Sequence, residues 1–140
     1  FYCIYRDISG LLWLGGSNGL ISSAANLSSP QTSHWYRVDN TAYPITHNRI
    51  RQIYEDREHH LWICTDGGLH RYQNGQWHRY NLEDRTRTRN ANWAYNMYED
   101  EQGRLWVATC LGGILVVDKH KLEQSKDYCI ADYSFDTSKV

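Results

Sequence analysis

A repeat is the feature that most constrains how this chain can fold. Three tryptophans, Trp13, Trp62 and Trp106, each follow a leucine and each precede a pair of glycines. The first two lie 49 residues apart and the last two lie 44 residues apart. A period of about 40 to 50 residues with several short strands in each unit is typical of propeller blades. The sequence therefore predicts three similar units.

Turn residues inside the second unit predict four strands. The run Asn48–Asp56 predicts an innermost strand, and Leu61-Trp62-Ile63 predicts the second. Asn74-Gly75 lies between two alternating runs, which is the strongest short-range signal for a hairpin with a two-residue turn. That register places Tyr72 directly across from Trp77.

These patterns predict an all-β fold made of a β-propeller fragment with about three four-stranded antiparallel blades. We expect the blades at about residues 1–38, 48–81 and 91–135, with the outer strand of the third blade at Asp127–Phe135. Three blades do not close a ring, because propellers ordinarily use about four to eight. The sequence therefore predicts an open arc that contacts further blades or further copies of the chain.

Composition narrows the classes of partner. The chain is 14% aromatic, which favours strands, and its formal net charge is −1. A balanced charge lacks the basic footprint of a protein that binds nucleic acid or an anionic membrane surface. No apolar run approaches the length of a membrane span. The chain starts at Phe1 inside an apolar stretch, so we expect it to be a piece of a longer protein.

The turn between the first two strands of each unit predicts a local backbone geometry. Gly10 and Gly103 stand three residues before their tryptophans, where a left-handed backbone is expected. The second unit has His59 at this position, so we predict a positive φ there. The aspartates that open these turns are expected to cap backbone N–H groups rather than to act as catalytic carboxylates. They are Asp7, Asp56 and Asp100.

The repeated tryptophans and the histidines have structural interpretations. Because each tryptophan occupies a fixed place in a second strand, we expect it to pack between blades rather than to stack on a sugar. On the hairpin register, His70 faces Arg79 and His78 faces Arg71, so each lies beside a cation. His59-His60 also invites a metal site, but we predict none.

The cysteines and the remaining motifs predict no cofactor and no catalytic residue. The four cysteines have no CxxC spacing and no histidine at metal-ligand intervals, and we expect free thiols. A single disulfide stays open as an alternative in an oxidising compartment. The four cysteines are Cys3, Cys64, Cys110 and Cys129. We predict neither the nucleophile elbow of a serine hydrolase, which joins a strand to a helix, nor a glycine-rich phosphate loop that opens a helix.

One segment suggests a ligand site. Between the second and third units, three arginines alternate with threonines and lead into a tryptophan, a combination that can pair with carboxylate or sulfate groups and stack on a ring. In a propeller this connection shares a rim with the loops between second and third strands. The candidate ligand-binding residues are Arg85, Arg87, Arg89, Trp93, Asn18 and Asp66. An acidic oligosaccharide would suit them, and the alternative is a solvated loop between blades.

The second unit carries Tyr54-Glu55-Asp56, then Leu61-Trp62-Ile63 and Gly67-Gly68-Leu69. This pattern resembles the two-component regulator propeller repeat, which is found in extracytoplasmic sensor regions of bacterial hybrid two-component systems and related one-component regulators. The first unit departs from it at Arg6, at Leu14-Gly15-Gly16 and in the insertion Ser22–Ser33.

The resemblance implies a periplasmic segment of a membrane-anchored parent protein whose cytoplasmic output is, for example, a histidine kinase. Such proteins commonly sense glycans or their breakdown products. We therefore expect a non-enzymatic sensor segment with an oligosaccharide ligand. Two alternatives stay open: a scaffold for protein contacts with no ligand of its own, and a polysaccharide hydrolase or lyase, which would need carboxylates that converge on the axis.

Overall fold

A computed structural model describes residues 2–23, 34–36, 49–73, 75–80, 93–110 and 113–122. Eleven strands and one short helix lie in these ranges. The first unit contains β1 (Cys3–Arg6), β2 (Leu12–Gly16), β3 (Gly19–Ser23) and β4 (His34–Tyr36). The second contains β5 (Ile50–Glu55), β6 (Leu61–Thr65), β7 (Gly68–Gln73) and β8 (Gln76–Tyr80). The third contains β9 (Ala94–Glu99), β10 (Arg104–Thr109), β11 (Ile114–Asp118) and α1 (Lys119–Leu122).

The strands form three antiparallel sheets, one for each predicted blade. Sheets β1-β2-β3-β4 and β5-β6-β7-β8 have four strands each, and the third sheet is β9-β10-β11. The all-β propeller prediction is therefore confirmed, and we call the sheets blades one, two and three. The predicted inner strand Asn48–Asp56 is observed as Ile50–Glu55. The outer strand expected at Asp127–Phe135 lies outside the described residues.

The hairpin register predicted for blade two is confirmed. Tyr72 pairs with Trp77, and their ring centroids are 4.8 Å apart. His70 pairs with Arg79, as expected. Gly75 has a φ of 78°, which suits a tight hairpin turn, and Asn74 lies outside the described residues.

The apolar core lies between neighbouring blades. Trp13 and Trp62 are almost completely buried, so the prediction that they pack between blades is confirmed. Trp13 belongs to the cluster between blades one and two, which is Trp13, Leu20, Tyr36, Ile50, Ile53, Leu61 and Ile63. Trp62 belongs to the cluster between blades two and three, which is Trp62, Cys64, Leu69, Tyr80, Ala94, Met97, Leu105, Val107 and Leu115. Each tryptophan thus packs against the inner strand of the following blade.

Trp106 differs from the other two tryptophans because it is only partly buried. It lines a shallow cavity of about 240 Å³ together with Tyr98 and Ile114, both of which are exposed. On blade one the equivalent face is covered by blade two, and on blade two it is covered by blade three. Trp106 is therefore more exposed because no described strand packs on its side of the sheet.

An aspartate organises the turn that leads into each second strand. In blade two, Asp56 Oδ1 accepts the backbone N–H groups of Glu58 and His60 at 2.9 and 3.0 Å. Its Oδ2 accepts the indole N–H of Trp62 at 2.8 Å. Asp7 and Asp100 make the equivalent bonds. The predicted capping role is confirmed, and the bond to the indole is an additional contact.

The predicted left-handed residue is also confirmed. His59 has a φ of 65° and is the non-glycine residue with a positive φ in the described ranges, at the place where Gly10 and Gly103 have φ values of 86° and 75°. The three units are therefore aligned correctly at this turn.

A glutamate at the end of each following inner strand joins the blades. Glu55 Oε2 accepts the backbone N–H of Ile8 at 3.2 Å, which connects blade two to the turn of blade one. Glu99 Oε2 accepts the backbone N–H of Arg57 at 2.9 Å, which connects blade three to the turn of blade two. The first unit has Arg6 at this position, and an arginine has no acceptor for such a bond.

Cys3, Cys64 and Cys110 are free thiols, as expected, and Cys129 lies outside the described residues. In the ranges that the structure describes, no helix has the length and apolar character needed to cross a bilayer.

We predict that Gly15→Ala destabilises the contact between blades one and two. A Cβ at this position would overlap Ile50 Cγ2 and would lie 2.8 Å from Cys3 Sγ. Overpacking of this kind costs about 1–3 kcal/mol. Urea unfolding followed by tryptophan fluorescence measures the effect, with the exposed Ser17→Ala as control. An unchanged midpoint for Gly15→Ala would contradict this packing.

We predict that the turn aspartates make stability depend on acid pH. The hydrogen bond from Trp106 is the largest cause that holds the pKa of Asp100 well below its ordinary value of 3.8. At Asp7, burial raises the pKa, but hydrogen bonds from Ser9 and Trp13 outweigh it and the pKa falls. A lowered pKa contributes stability above the unfolded value, and that stability disappears as the pH falls through the folded value.

Asp100→Asn should therefore lower the urea midpoint near neutral pH, because the amide cannot accept the indole N–H through its nitrogen. It should also flatten the fall of the midpoint between about pH 5 and the lowest pH at which the chain folds. The exposed Glu101→Gln is the control. Identical pH profiles for Asp100→Asn and the parent chain would show that the carboxylate does not stabilise the turn.

Candidate functional site

The candidate site lies at the edge of the sheets where the inner strands begin and the second strands end. We call this edge the upper rim. It consists of Tyr2 and Trp93 just before the inner strands of blades one and three, Arg51 and Tyr95 in the inner strands, and Asp66 and Cys110 in the loops after the second strands. Tyr2, Arg51 and Tyr95 each stand five residues before the turn aspartate of their own blade. The repeat therefore places equivalent residues of three blades beside one another.

Arg51 joins the three inner strands through its guanidinium. Its Cζ lies 5.9 Å from the ring centroid of Tyr2 and 5.1 Å from that of Tyr95. Both distances are within the range of a cation–π interaction. The two rings keep 57% and 40% of their surface exposed, respectively. The upper rim thus presents two accessible aromatic rings with a cation between them.

Asp66 fixes the position of Arg51. Its side chain is only 5% exposed, and its carboxylate accepts hydrogen bonds from Arg51 Nε at 2.8 Å and from a terminal nitrogen of Arg51 at 3.2 Å. Arg49 adds an ion pair at 3.5 Å. The hydrogen bond to Asp66 raises the pKa of Arg51 further above its ordinary value. Asp66, predicted as a ligand residue, therefore lies on the rim as an internal partner of two arginines.

Trp93 also lies on the upper rim. Its backbone carbonyl accepts the N–H of Cys110 at 2.9 Å, just as the carbonyl of Arg49 accepts the N–H of Asp66 in blade two. The Trp93 side chain is 41% exposed. A hydrogen bond with Cys110 contributes most to raising the pKa of the Tyr95 hydroxyl. The exposed indole of Trp93 and the exposed phenol of Tyr95 thus lie two residues apart in the sequence, at the start of β9.

Of the other residues predicted for the site, Asn18 is described by the structure and the three arginines are not. Asn18 is exposed in the turn between β2 and β3, the turn that corresponds to the loop of Asp66. Arg85, Arg87 and Arg89 lie outside the described residues, in the segment that leads directly into Trp93. The structure thus places Asp66 and Trp93 on the upper rim, and the three arginines remain a prediction.

Sequence reasoning missed Tyr2, Arg51 and Tyr95. Their common distance from Asp7, Asp56 and Asp100 was a usable signal, because equivalent positions of a repeat stack side by side in successive blades. Together with Trp93 they can offer flat apolar faces to a ring and a positive charge to an anionic group. No group of three or more metal-ligating side chains occurs within the described ranges.

We predict that Asp66→Ala destabilises the upper rim, because it removes the carboxylate that holds the Arg51 guanidinium. Hydrogen bonds to charged groups are worth roughly 1.5–3 kcal/mol, and we expect a loss of that size in urea unfolding. Glu101→Ala, which removes an exposed carboxylate from blade three, is the control. A loss no larger than that of the control would mean that Asp66 does not hold Arg51.

Comparisons with known proteins agree with this architecture. The family described as "Two component regulator propeller" matches residues 44–67 and 88–110. Two solved structures of the extracellular domain of BT4673 from B. thetaiotaomicron are similar to the chain; one describes that protein as a one component system and the other as a hybrid two component system. They share 50% and 47% sequence identity with the chain over 92% and 99% of its length, with TM-scores of 0.85 and 0.88.

The remaining comparisons concern the fold and the length of the relatives. The extracellular domain of the hybrid two component system BT3049 from B. thetaiotaomicron shares 21% identity over 85% of the chain with a TM-score of 0.63, which supports the fold alone. The chain spans only 18% and 19% of the two BT4673 structures. A search of curated proteins found no significant match.

The motif order, the three antiparallel blades and these likenesses agree with one another. The chain belongs to the two-component regulator propeller repeat family and is homologous to part of an extracellular domain of a bacterial two-component signalling protein.

Proposed function

We propose that the chain is part of the sensor region of a membrane-anchored bacterial signalling protein, lies in the periplasm, and responds to an acidic oligosaccharide. The single observation that carries the sensor role is the 50% identity over 92% of the chain with the extracellular domain of BT4673. In this proposal the segment is not an enzyme, and the output, such as a histidine kinase, belongs to other parts of the parent protein.

The upper rim supports the oligosaccharide part of the proposal. Tyr2, Tyr95 and Trp93 offer exposed rings on which a sugar can stack, and such stacking occurs with little loss of side-chain entropy. Arg51 supplies a guanidinium whose orientation is fixed by Asp66. A preorganised guanidinium recognises carboxylate or sulfate groups better than a mobile one. The ligand class that fits this rim is therefore a short glycan that carries an acidic group.

The same geometry supplies a mechanism for signalling. A ligand that contacts Tyr2, Arg51 and Tyr95 touches three blades at once. It binds tightly only to the arrangement in which those blades are correctly spaced, so occupancy shifts the population toward that arrangement. The output then depends on how the blades pack with the rest of the parent protein.

A scaffold is the second candidate function, and the exposed faces of the outer blades favour it. Tyr98 and Ile114 are exposed on blade three, and Ile4 is exposed on blade one. Apolar surface of this kind on both flanks suits contact with further blades or further copies of the chain. In this candidate the segment transmits contacts and binds no glycan.

Calorimetric titration with neutral and acidic oligosaccharides tests the proposal, with the mass of the chain in solution measured in the same buffer. We predict binding of an acidic oligosaccharide and at least about a tenfold weaker affinity after joint replacement of Arg85, Arg87 and Arg89 by alanine. The control is Arg57→Ala, an exposed arginine at the opposite end of the inner strand.

The outcomes separate the candidates. Unchanged affinity in the triple variant would remove the arginine segment from the site, and the loss of binding in Arg51→Ala would then assign it to the upper rim. No heat with any oligosaccharide would favour the scaffold. Turnover of a bound oligosaccharide would favour the hydrolase or lyase alternative over a sensor.

A further inference from the structure

A buried lysine occupies the lower end of the interface between blades two and three, opposite to the upper rim. Lys119, the first residue of α1, has a side chain that is only 4% exposed. Its Nζ lies 2.8 Å from Glu99 Oε1, 3.3 Å from Glu58 Oε1 and 3.6 Å from Asp56 Oδ2. Three carboxylates from two blades therefore enclose one ammonium group.

The interface between blades one and two has the same carboxylate positions, and the sequence carries a different residue at the repeat position of the lysine. Asp7 corresponds to Asp56 and Glu55 corresponds to Glu99, because each pair shares its distance from the repeated tryptophan. In the strand registers, Arg71 pairs with Trp62 and Val116 pairs with Trp106. Counting three residues onward from each gives Asn74 at the position of Lys119. At this interface the repeat supplies two carboxylates, and the residue that corresponds to Lys119 in the sequence count lies outside the described residues.

A cavity of about 380 Å³ occupies this place between blades one and two. The residues that matter for its chemistry are Asp7, Ser9, Glu55, Glu58, His59 and Gln73. Tyr72 and Leu61 provide an apolar wall. The volume lies within the range of small-molecule sites, which is about 300–1,000 Å³.

Glu55 is the main charge at this cavity. Its side chain is 10% exposed, and its carboxylate accepts hydrogen bonds from the Tyr5 hydroxyl and the Ile8 N–H, each at 3.2 Å. Within the described ranges its one basic neighbour within 4 Å is His59, whose Nδ1 is 3.9 Å away on a largely exposed ring. By contrast, the corresponding Glu99 is neutralised by Lys119. A nearly buried carboxylate without a permanent cation favours a cationic ligand.

We propose that the cavity between blades one and two binds a small ligand through its primary ammonium group, held by Glu55 and Asp7. The Lys119 ammonium shows how this geometry accommodates such a group, since Glu99 and Asp56 hold it from equivalent positions. Ser9 stands at the repeat position of Glu58, and Glu58 itself also lines this cavity, but its carboxylate is paired with Lys119 at 3.3 Å. The site lies at the opposite end of the inner strands from the upper rim and does not depend on the proposed glycan function.

Ligand-detected NMR and calorimetry with four probes test the proposal. Butylammonium and glucosamine carry a primary ammonium group, whereas N-acetylglucosamine and glucose do not. We expect saturable binding of at least one amine and no binding of the two neutral sugars at this site. Binding of glucosamine alone identifies an amino sugar, and binding of both amines identifies the ammonium group itself as sufficient. Equal binding of N-acetylglucosamine, or no binding of either amine, would overturn the proposal.

Two variants assign the binding to the cavity. Glu55→Gln keeps an oxygen that can accept the Ile8 N–H and an NH2 group that can donate to the Tyr5 hydroxyl, but it removes the charge. We expect at least about a tenfold loss of amine affinity. Glu101→Gln, an exposed carboxylate on the corresponding turn of blade three, should bind amines like the parent chain. Unchanged amine affinity in Glu55→Gln would overturn the assignment.

Gln73→Lys provides a test that does not remove a stabilising group. Gln73 lines the cavity at the end of β7, so a lysine there can place its own ammonium beside Glu55. We expect a folded chain that has lost amine binding and has gained resistance to urea. Continued amine binding by a folded Gln73→Lys chain would show that the amine binds elsewhere.

Discussion

The hydrogen bonds of the turn aspartate are the interaction on which the rest of the structure depends. A single carboxylate, such as Asp56, accepts two backbone N–H groups of a tight turn and the indole N–H of Trp62. The turn geometry and the orientation of the largest core side chain are thereby fixed by one group. Because the indole points toward the next blade, the carboxylate determines where that blade packs. The local turn and the interface between blades are therefore one unit, which explains why Asp and Trp recur together at a constant spacing.

Neighbouring blades are held in register by polar contacts as well as by apolar packing. Apolar burial contributes most of the free energy, but it is not directional. Glu55 and Glu99 each reach a backbone N–H in the turn of the preceding blade, and such a bond forms at only one relative position of the two sheets. Arg6 ends the inner strand of blade one with the opposite charge. A surface that contacts blade one on this side must therefore offer an acceptor to Arg6 rather than a donor to a glutamate.

The sequence was sufficient to predict features that are determined within one unit. The tryptophan spacing, the turn aspartates and His59 in a glycine position led to the blades, the capping bonds and the positive φ. The packing of the tryptophans between blades was predicted, but the polar contacts that join two units were not, because most of them depend on side chains that lie more than forty residues apart. Arg51 between two tyrosines and Lys119 among three carboxylates are such features. For the candidate site, the predicted Asp66 and Trp93 lie on one rim, whereas the role of Asp66 as a partner of Arg51 follows only from the geometry.

The repeat also explains how one scaffold acquires different chemistry at its two ends. The residues that shape a blade are fixed by the turn and the core, so variation is tolerated at positions where equivalent side chains of neighbouring blades meet. At the upper rim the three equivalent positions hold Tyr2, Arg51 and Tyr95, which produces an alternation of rings and charge. At the lower end Lys119 closes one interface with an internal ion cluster, whereas the other interface keeps a cavity. The same scaffold therefore holds an internal cation at one interface and keeps a carboxylate-lined cavity at the other.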